Sequence, residues 1–270
     1  MNEQTQRPVG IFDSGVGGLT VLKAVRERLP GENLVYLGDT ARLPYGTKSP
    51  ASIERYAAQA SARLIDRGIR LLVVACNTAS AVALESLRAA VDPVPVIGVV
   101  EPGSRAAVEA RPGGTHLVLA TETTVRLGAY RHALARMDPD ADVRELPCEL
   151  LVALAEEGWT HGAEAEAIVG RYLAIVNDAG YDPDSIILGC THFPLLRDAI
   201  AAVVPDGTSI VDSAETTARV VEDALGPGAK RAGAGTLTLL ATDGATRFAR
   251  VGGRFLGQEL DATDVELVDL

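Results

Sequence analysis

The sequence predicts an α/β protein made of two pseudo-symmetric lobes, each with a mostly parallel sheet flanked by helices. Two observations lead to this prediction: short continuous apolar runs alternate with helix-like segments, and the second half of the chain repeats the pattern of the first. The apolar runs of the first half are VGIF at 9–12, LVYL at 34–37, LLVVA at 71–75 and VPVIGVV at 94–100. Those of the second half are HLVLA at 116–120, DVREL at 142–146 and SIILG at 185–189.

The boundaries of the lobes follow from the repeat. The segments VVACNTAS at 73–80 and ILGCTHFP at 187–194 align as apolar strand, small residue, Cys, two polar residues and the start of a helix, which indicates a duplication. We expect a first lobe at 1–97 plus 210–270 and a second lobe at 98–209. The segment TSIVDS, a helix at 214–225, a Gly-rich connection and the strand-like TLTLLAT are expected to complete the first lobe's sheet.

Composition narrows the class of protein. The chain has 270 residues, 47% of them hydrophobic, as in ordinary soluble globular proteins. A net charge of -11 argues against nucleic-acid and anionic-membrane partners, because phosphate binding needs clustered Lys and Arg. The start, MNEQTQRPVG, lacks the pattern of a signal peptide, and no apolar stretch is long enough to span a bilayer, so we expect a cytoplasmic protein without a membrane partner.

The chemistry of the chain centres on Cys76 and Cys190. Both follow an apolar run at the point where a helix is expected to begin, and a helix N-terminus lowers the pKa of a thiol. In equivalent loops facing each other across a cleft, one thiol can remove a proton from one face of a carbon while the other returns a proton to the opposite face. This arrangement inverts a stereocentre, so we expect the active site in the cleft between the lobes. Three cysteines without a CxxC pair fit neither a disulfide framework nor a zinc site.

Polar residues surround each predicted strand end. In the loop FDSGVGGLT, Asp13 and Ser14 end a strand before a Gly-rich turn, where a charged group can bind. The turn resembles the dinucleotide fingerprint GxGxxG except for Thr20 at the last position, and Asp39 keeps that alternative open. His192, next but one to Cys190, can handle protons near neutral pH.

Two further loops offer groups for a ligand. Tyr45 and Gly46 form a turn that can present a main-chain N–H to a carboxylate, although turn chemistry alone explains such a sequence as well. Hydroxyl groups follow the strand HLVLA at the counterpart of the Asp13 loop, in Thr121, Thr123 and Thr124, and simple helix capping is the alternative there.

At these residues the chain resembles the glutamate racemase family. The segments that carry the resemblance, in family order and spacing over nearly the whole chain, are GIFDSGVGGLTVL, YLGDTARLPYG, VVACNTASA, TETTVRLGAY and LGCTHFPLL. The resemblance implies an isomerase that interconverts L- and D-glutamate without pyridoxal phosphate, metal or nucleotide. It also implies a supply of D-glutamate for bacterial peptidoglycan, and hence a role in cell wall biogenesis and cell shape.

The resemblance also implies roles for individual residues. Cys76 would take the α-proton of D-glutamate with help from Asp13, and Cys190 that of L-glutamate with help from His192. Glu156 would support His192, and the adjacent Glu157 is the alternative candidate for this role. The residues implied to hold the substrate are Asp13, Ser14, Tyr45, Gly46, Asn77, Thr78, Thr121, Thr191 and His192.

The chain departs from the family pattern at two places. Leu127 stands where many relatives carry Ser, and Cys148-Glu149 replaces the usual Cys-Pro. Cys148 falls at the counterpart of Asp39 rather than of the two catalytic cysteines, so we interpret it as structural.

Other functions remain open at this point. They are a racemase of aspartate or hydantoins, a non-catalytic amino-acid or nucleotide binding protein, and a Cys-His hydrolase that uses Cys190 and His192. The pattern leaves the oligomeric state undetermined, and a homodimer is compatible with it.

Overall fold

The computed structural model describes residues 7–227 and 233–270, which form two compact units. Unit 1 contains the chain up to Val99 and again from Ala214, and unit 2 is Val100–Ser213. Two segments lie outside the described residues. They are residues 1–6, which belong to the N-terminal stretch considered above for a signal peptide, and residues 228–232 of the Gly-rich connection. Among the helices of 7–227 and 233–270, none has the length and hydrophobicity needed to cross a membrane.

Unit 1 is built on a six-stranded parallel sheet with the order β10-β9-β2-β1-β3-β4. Its strands are β1 Val9–Asp13, β2 Leu34–Gly38, β3 Leu71–Val74, β4 Val96–Gly98, β9 Leu237–Ala241 and β10 Val265–Leu267. Its helices are α1 Leu19–Arg28, α2 Pro50–Asp66, α3 Asn77–Ala90, α10 Ser213–Leu225, which begins at the last residue of unit 2, and α11 Ala245–Leu256. Short 3-10 helices span Tyr45–Thr47 and Ala262–Asp264.

Unit 2 has a four-stranded parallel sheet with the order β6-β5-β7-β8. Its strands are β5 Thr115–Ala120, β6 Asp142–Pro147, β7 Ser185–Gly189 and β8 Ser209–Asp212. Its helices are α4 Val100–Ala110, α5 Glu122–Leu127, α6 Ala129–Met137, α7 Glu149–Glu157, α8 Ala163–Asn177 and α9 Arg197–Ala201, with a 3-10 helix at Phe193–Leu196.

The central strands are buried on both faces, which explains their continuous apolar sequences. Every residue of β1, β2, β3 and β7 is buried, because helices cover both sides of a parallel sheet. The core of unit 1 packs side chains of β1, β2 and β3 against α2 and α3, with Phe12, Ile53 and Leu64 among its members. The predicted fold class, two lobes with parallel sheets flanked by helices, is confirmed.

Two strands differ from the expectation. The segment TSIVDS was expected in the sheet of the first lobe, but β8 pairs with β7 in unit 2, with Ile187 opposite Val211. A short crossover through α9 returns the chain beside the strand that it has just left, which is the common arrangement for consecutive parallel strands. Strand β10 was not predicted, because three residues with a central glutamate are too short to produce a strand pattern.

Candidate active site

The two cysteines of interest occupy equivalent positions in their sheets. Val74 of β3 pairs with Phe12 of β1, and Leu188 of β7 pairs with Leu119 of β5. Cys76 and Cys190 each lie two residues beyond these pairs, just after the carboxyl end of the strand. Ligands of open α/β sheets bind at this edge, so each unit carries one thiol at the edge where its own sheet would bind a ligand.

Cys76 is the N-cap of α3. Its side chain is almost fully buried, and its Sγ accepts a hydrogen bond from the Ala79 N–H at 3.4 Å. The thiol also lies 3.5 Å from Ser14 Oγ. The sulfur therefore lies at the N-terminal end of α3, which carries the partial positive charge of the helix dipole. The first two residues of α3, Asn77 and Thr78, are also buried.

Asp13 is the last residue of β1 and is also buried. Its Oδ2 accepts the N–H of Gly15 at 2.8 Å, which folds the Gly-rich turn around the carboxylate. A Cβ atom on Gly18 would lie 2.5 Å from the Cβ of Asp13, so a glycine is required where α1 begins.

Tyr36 is hydrogen-bonded to the same Gly-rich turn. The sequence did not predict a role for this residue. The hydroxyl of Tyr36 donates to the Gly15 carbonyl at 2.9 Å, and the side chain is fully buried. Burial, followed by the nearby charges of Asp13 and Cys76, raises the pKa of Tyr36 far above its ordinary value. Asp13, Cys76 and Tyr36 therefore share one electrostatic neighbourhood. The signal in the sequence was a single hydroxyl inside the apolar run LVYL.

In the Tyr45–Gly46 turn, the tyrosine side chain packs inside unit 1. Tyr45 is buried, and its hydroxyl donates to Asp39 Oδ2 at 2.6 Å. Any contact between this residue and a ligand must therefore come from its main chain. Asp39 also forms an ion pair with Arg42 and accepts a hydrogen bond from Thr242, and a carboxylate occupied in this way is poorly suited to bind a ribose hydroxyl. This weakens the dinucleotide alternative.

Cys190 has a different environment from Cys76. It is followed by the 3-10 helix Phe193–Leu196, whose N-cap is His192. The expectation that a helix begins after each cysteine is met by α3 after Cys76 and by a 3-10 helix after Cys190, where the chain first makes a tighter turn. Cys190 Sγ instead lies 3.7 Å from His192 Nδ1.

His192 connects Cys190 to a carboxylate. Its Nε2 lies 3.2 Å from Oε1 of Glu156 on α7, which identifies Glu156, rather than the exposed Glu157, as the partner. Burial lowers the pKa of His192, but the hydrogen bonds and charges of Cys190 and Glu156 outweigh it and raise the pKa to about 10. A cationic imidazolium beside the Cys190 sulfur can serve as a proton donor.

Unit 2 also carries hydroxyl groups in the segments that follow β5 and β7. Thr191 Oγ1 lies 3.5 Å from His192 Nδ1. Thr121 is the N-cap of α5, and its Oγ1 lies 3.1 Å from that of Thr124. Thr123 and Thr124 are buried in the first turn of the helix, and the Thr121 side chain makes no capping hydrogen bond to the main chain of α5.

Cys148 is structurally different from the other two cysteines. It follows β6, it is fully buried, and its thiol donates to the Leu146 carbonyl at 3.4 Å. Burial, with smaller contributions from Glu149 and Cys190, raises its pKa far above the ordinary range, so the thiol stays protonated. This environment suits the structural role that the sequence indicated.

The helix that carries Glu156 ends in an exposed aromatic residue. Gly158 adopts a left-handed conformation with φ of 80°, and the Trp159 N–H donates to the Leu154 carbonyl at 2.9 Å. This pattern closes the helix, and the Trp159 side chain remains 60% exposed.

Comparison with known proteins identifies the family. The model of the Asp/Glu/hydantoin racemase family matches residues 19–221. A glutamate racemase from Geobacter metallireducens is 46% identical over 257 residues, which cover 94% of both chains. This chain belongs to the aspartate/glutamate racemase family. The resemblance drawn from five sequence segments and the expectation of an isomerase are thereby confirmed.

Solved structures of the family share the whole fold. The glutamate racemase of Thermus thermophilus in complex with β-chloro-D-alanine is 42% identical, with a TM-score of 0.86 and coverage of 98% of both chains. That of Francisella tularensis in complex with D-glutamate is 33% identical, with a TM-score of 0.88 and the same coverage. The racemase fold of this family therefore extends over nearly the entire chain.

Proposed function

We propose that this protein interconverts L- and D-glutamate by a two-thiol mechanism without a cofactor. The observation that carries the proposal is the pair of thiols at equivalent positions of two sheets, each beside its own proton-handling group. A curated relative with 46% identity is a glutamate racemase, which supports glutamate as the substrate within a family that also includes aspartate and hydantoin racemases.

In the D-to-L direction, the Cys76 thiolate removes the α-proton and the Cys190 thiol delivers a proton to the opposite face of the carbon. In the L-to-D direction the roles are reversed, with Cys190 as base and Cys76 as acid. Each turnover leaves the two thiols with exchanged protonation states, so the protons must redistribute before the next one. Asp13 assists Cys76, and His192 with Glu156 assists Cys190.

The substrate's charged groups need partners that do not titrate near neutral pH. We assign this role to the hydroxyl and amide groups of Ser14, Asn77, Thr78, Thr121 and Thr191, together with the main chain at Tyr45 and Gly46. Asn77 and Thr78 open α3, where main-chain N–H groups favour an anion such as a carboxylate.

Incubation with L-glutamate in heavy water tests the proposal. We expect D-glutamate to form, and deuterium to enter at Cα, because the proton that returns comes from a thiol in exchange with solvent. Aspartate serves as the competing substrate in the same assay. Absence of both inversion and exchange would overturn the proposal, whereas faster turnover of aspartate would reassign the substrate.

The mechanism requires the two sulfurs to lie on opposite faces of the substrate's Cα. A crystal structure with D-glutamate bound tests this requirement directly. We further propose that the D-glutamate supplies peptidoglycan synthesis in the cytoplasm. A homodimer remains a prediction, which sedimentation of the purified protein checks.

A further inference from the structure

Asp39 is a buried carboxylate at the carboxyl end of β2 that the proposed mechanism does not use. It is fully buried and receives three donors. The Tyr45 hydroxyl lies 2.6 Å away, Arg42 Nε 2.7 Å and Thr242 Oγ1 3.0 Å. Because each acceptor oxygen has a partner, the cost of burying the charge is offset and the carboxylate fixes three side chains at once.

One of these partners comes from the far end of the chain. Thr242 follows β9, 203 residues after Asp39. Its hydroxyl donates to Asp39 and also accepts the Ala41 N–H at 2.8 Å. Beside it, the Asp243 N–H donates to Thr40 Oγ1 at 2.9 Å. The C-terminal segment is thus hydrogen-bonded directly to the start of the loop that leads to Tyr45.

The ring of Tyr45 is held as firmly as its hydroxyl. Its centroid lies 6.3 Å from that of Phe12 and 5.9 Å from that of Tyr56. The Arg42 guanidinium, which is paired with Asp39, lies 4.4 Å from the centroid of Tyr56. With both ring and hydroxyl fixed, the main chain at Tyr45 and Gly46 has little freedom to move relative to β2.

We propose that Asp39 and Thr242 are positioning residues that hold the Tyr45–Gly46 turn in the geometry that binds the substrate. The inference rests on the proposed function, which assigns this turn to the substrate. Neither residue touches the reacting atoms; they act through the turn. The counterpart of Asp39 in unit 2 is Cys148, whose thiol contacts a carbonyl group, so this device belongs to unit 1.

Thr242→Val tests the inference, because valine keeps the shape of threonine and removes its hydroxyl. A misplaced binding group weakens binding of the substrate and binding of the transition state by the same amount. We therefore expect KM to rise about tenfold for both L- and D-glutamate, with kcat within about twofold of wild type. Thr242→Ser, which restores the hydroxyl, should return KM to the wild-type value.

Thr236→Val is the matched control at the opposite end of the same strand. Thr236 Oγ1 donates to Asn33 Oδ1 at 3.0 Å, so this variant also removes a threonine hydrogen bond that secures β9. We expect its KM to equal that of wild type even where its melting temperature falls as much as that of Thr242→Val. Equal KM values for the two variants would overturn the inference.

Tyr45→Phe provides a second route if Thr242→Val folds poorly. It keeps the packed ring and removes the hydroxyl that Asp39 binds, so KM should again rise with little change in kcat. An unchanged KM in Tyr45→Phe contradicts the inference. Failure of wild type to exchange the α-proton instead contradicts the proposed function, so the two outcomes are distinguishable.

Discussion

The loops of Cys76 and Cys190 occupy the same position in their sheets but carry different chemical groups. In unit 1 the Asp39 N–H donates to the Asp13 carbonyl at 3.0 Å, and in unit 2 the Cys148 N–H donates to the Ala120 carbonyl at 2.9 Å. Ala120 is therefore the counterpart of Asp13. The strand end that supplies a carboxylate in unit 1 supplies a methyl group in unit 2.

In unit 2 the carboxylate near the cysteine comes from a helix instead of a strand end. Glu156 lies on α7 and reaches Cys190 through His192. Cys76 thus has a helix N-terminus and an acidic neighbourhood, whereas Cys190 has an imidazole whose pKa is raised to about 10 and which is cationic at neutral pH. The repeated fold places the two thiols equivalently, while the groups that tune them are specific to each unit.

Removal of either thiol is the largest test of this comparison. Cys76→Ala and Cys190→Ala should each lower racemisation by about 10³-fold or more in both directions, because inversion needs a base and an acid on opposite faces. Circular dichroism of glutamate measures the loss. Cys148→Ala is the control and should retain activity. A Cys-His hydrolase would instead keep its activity without Cys76.

Asp13→Asn tests whether the Asp13 carboxylate takes part in proton transfer at Cys76. Asparagine retains an oxygen that can accept the Gly15 N–H, so the turn should persist. We expect kcat to fall about 10²-fold because a proton-transfer partner of Cys76 is lost. Deuterium uptake at Cα should slow more when the reaction starts from D-glutamate than from L-glutamate. Equal slowing from both enantiomers would break the proposed pairing of Asp13 with Cys76.

Glu156→Gln tests the indirect route in unit 2. The change removes one of the charges that raise the pKa of His192, so the imidazolium loses its proton at lower pH. We expect about a tenfold loss of kcat and a shift of the alkaline limb of the pH profile toward neutrality. Glu157→Gln, at the exposed neighbour, should leave the profile unchanged. An unshifted limb in Glu156→Gln would remove Glu156 from the relay.

A smaller difference between the units concerns stability in acid. His116, fully buried in β5, is the counterpart of Val9, and its Nδ1 lies 2.7 Å from Ser185 Oγ. Burial lowers the pKa of His116, although Asp138 and Asp184 partly oppose the effect. The unfolded chain therefore takes up this proton more readily than the folded one, and stability falls as the pH drops through the ordinary histidine pKa.

Urea unfolding at pH 7 and pH 5 measures this effect. We expect the free energy of unfolding to be lower at pH 5 than at pH 7, with His116 contributing to the difference. The double variant with His116→Val and Ser185→Ala, which removes both partners of the hydrogen bond, should show a flatter dependence. The same slope in wild type and variant would locate the acid sensitivity elsewhere.

Local patterns were sufficient for much of the fold and for the two thiols. Continuous apolar runs predict β1, β2, β3 and β7 because those strands are buried on both faces. The cysteines follow from their place after such runs. What surrounds the thiols depends on tertiary packing, and there the sequence alone was less informative.

Three features could not be predicted from the sequence, each for a physical reason. The sheet that β8 joins is decided by its neighbour, since a four-residue strand with only two apolar residues fits either sheet. The tight turn after Cys190 has a sequence that also suits an α-helix. The bond between Asp39 and Thr242 spans 203 residues and leaves no local signal in either segment.

Trp159 gives this protein a built-in optical probe. It is the single tryptophan of the chain, it is exposed, and it closes the helix that presents Glu156 to His192. Indole emission excited at long wavelength therefore originates from one known place near the Cys190 loop. Changes in that emission on addition of either enantiomer can be followed in the unlabelled protein, on the unit 2 side and in real time.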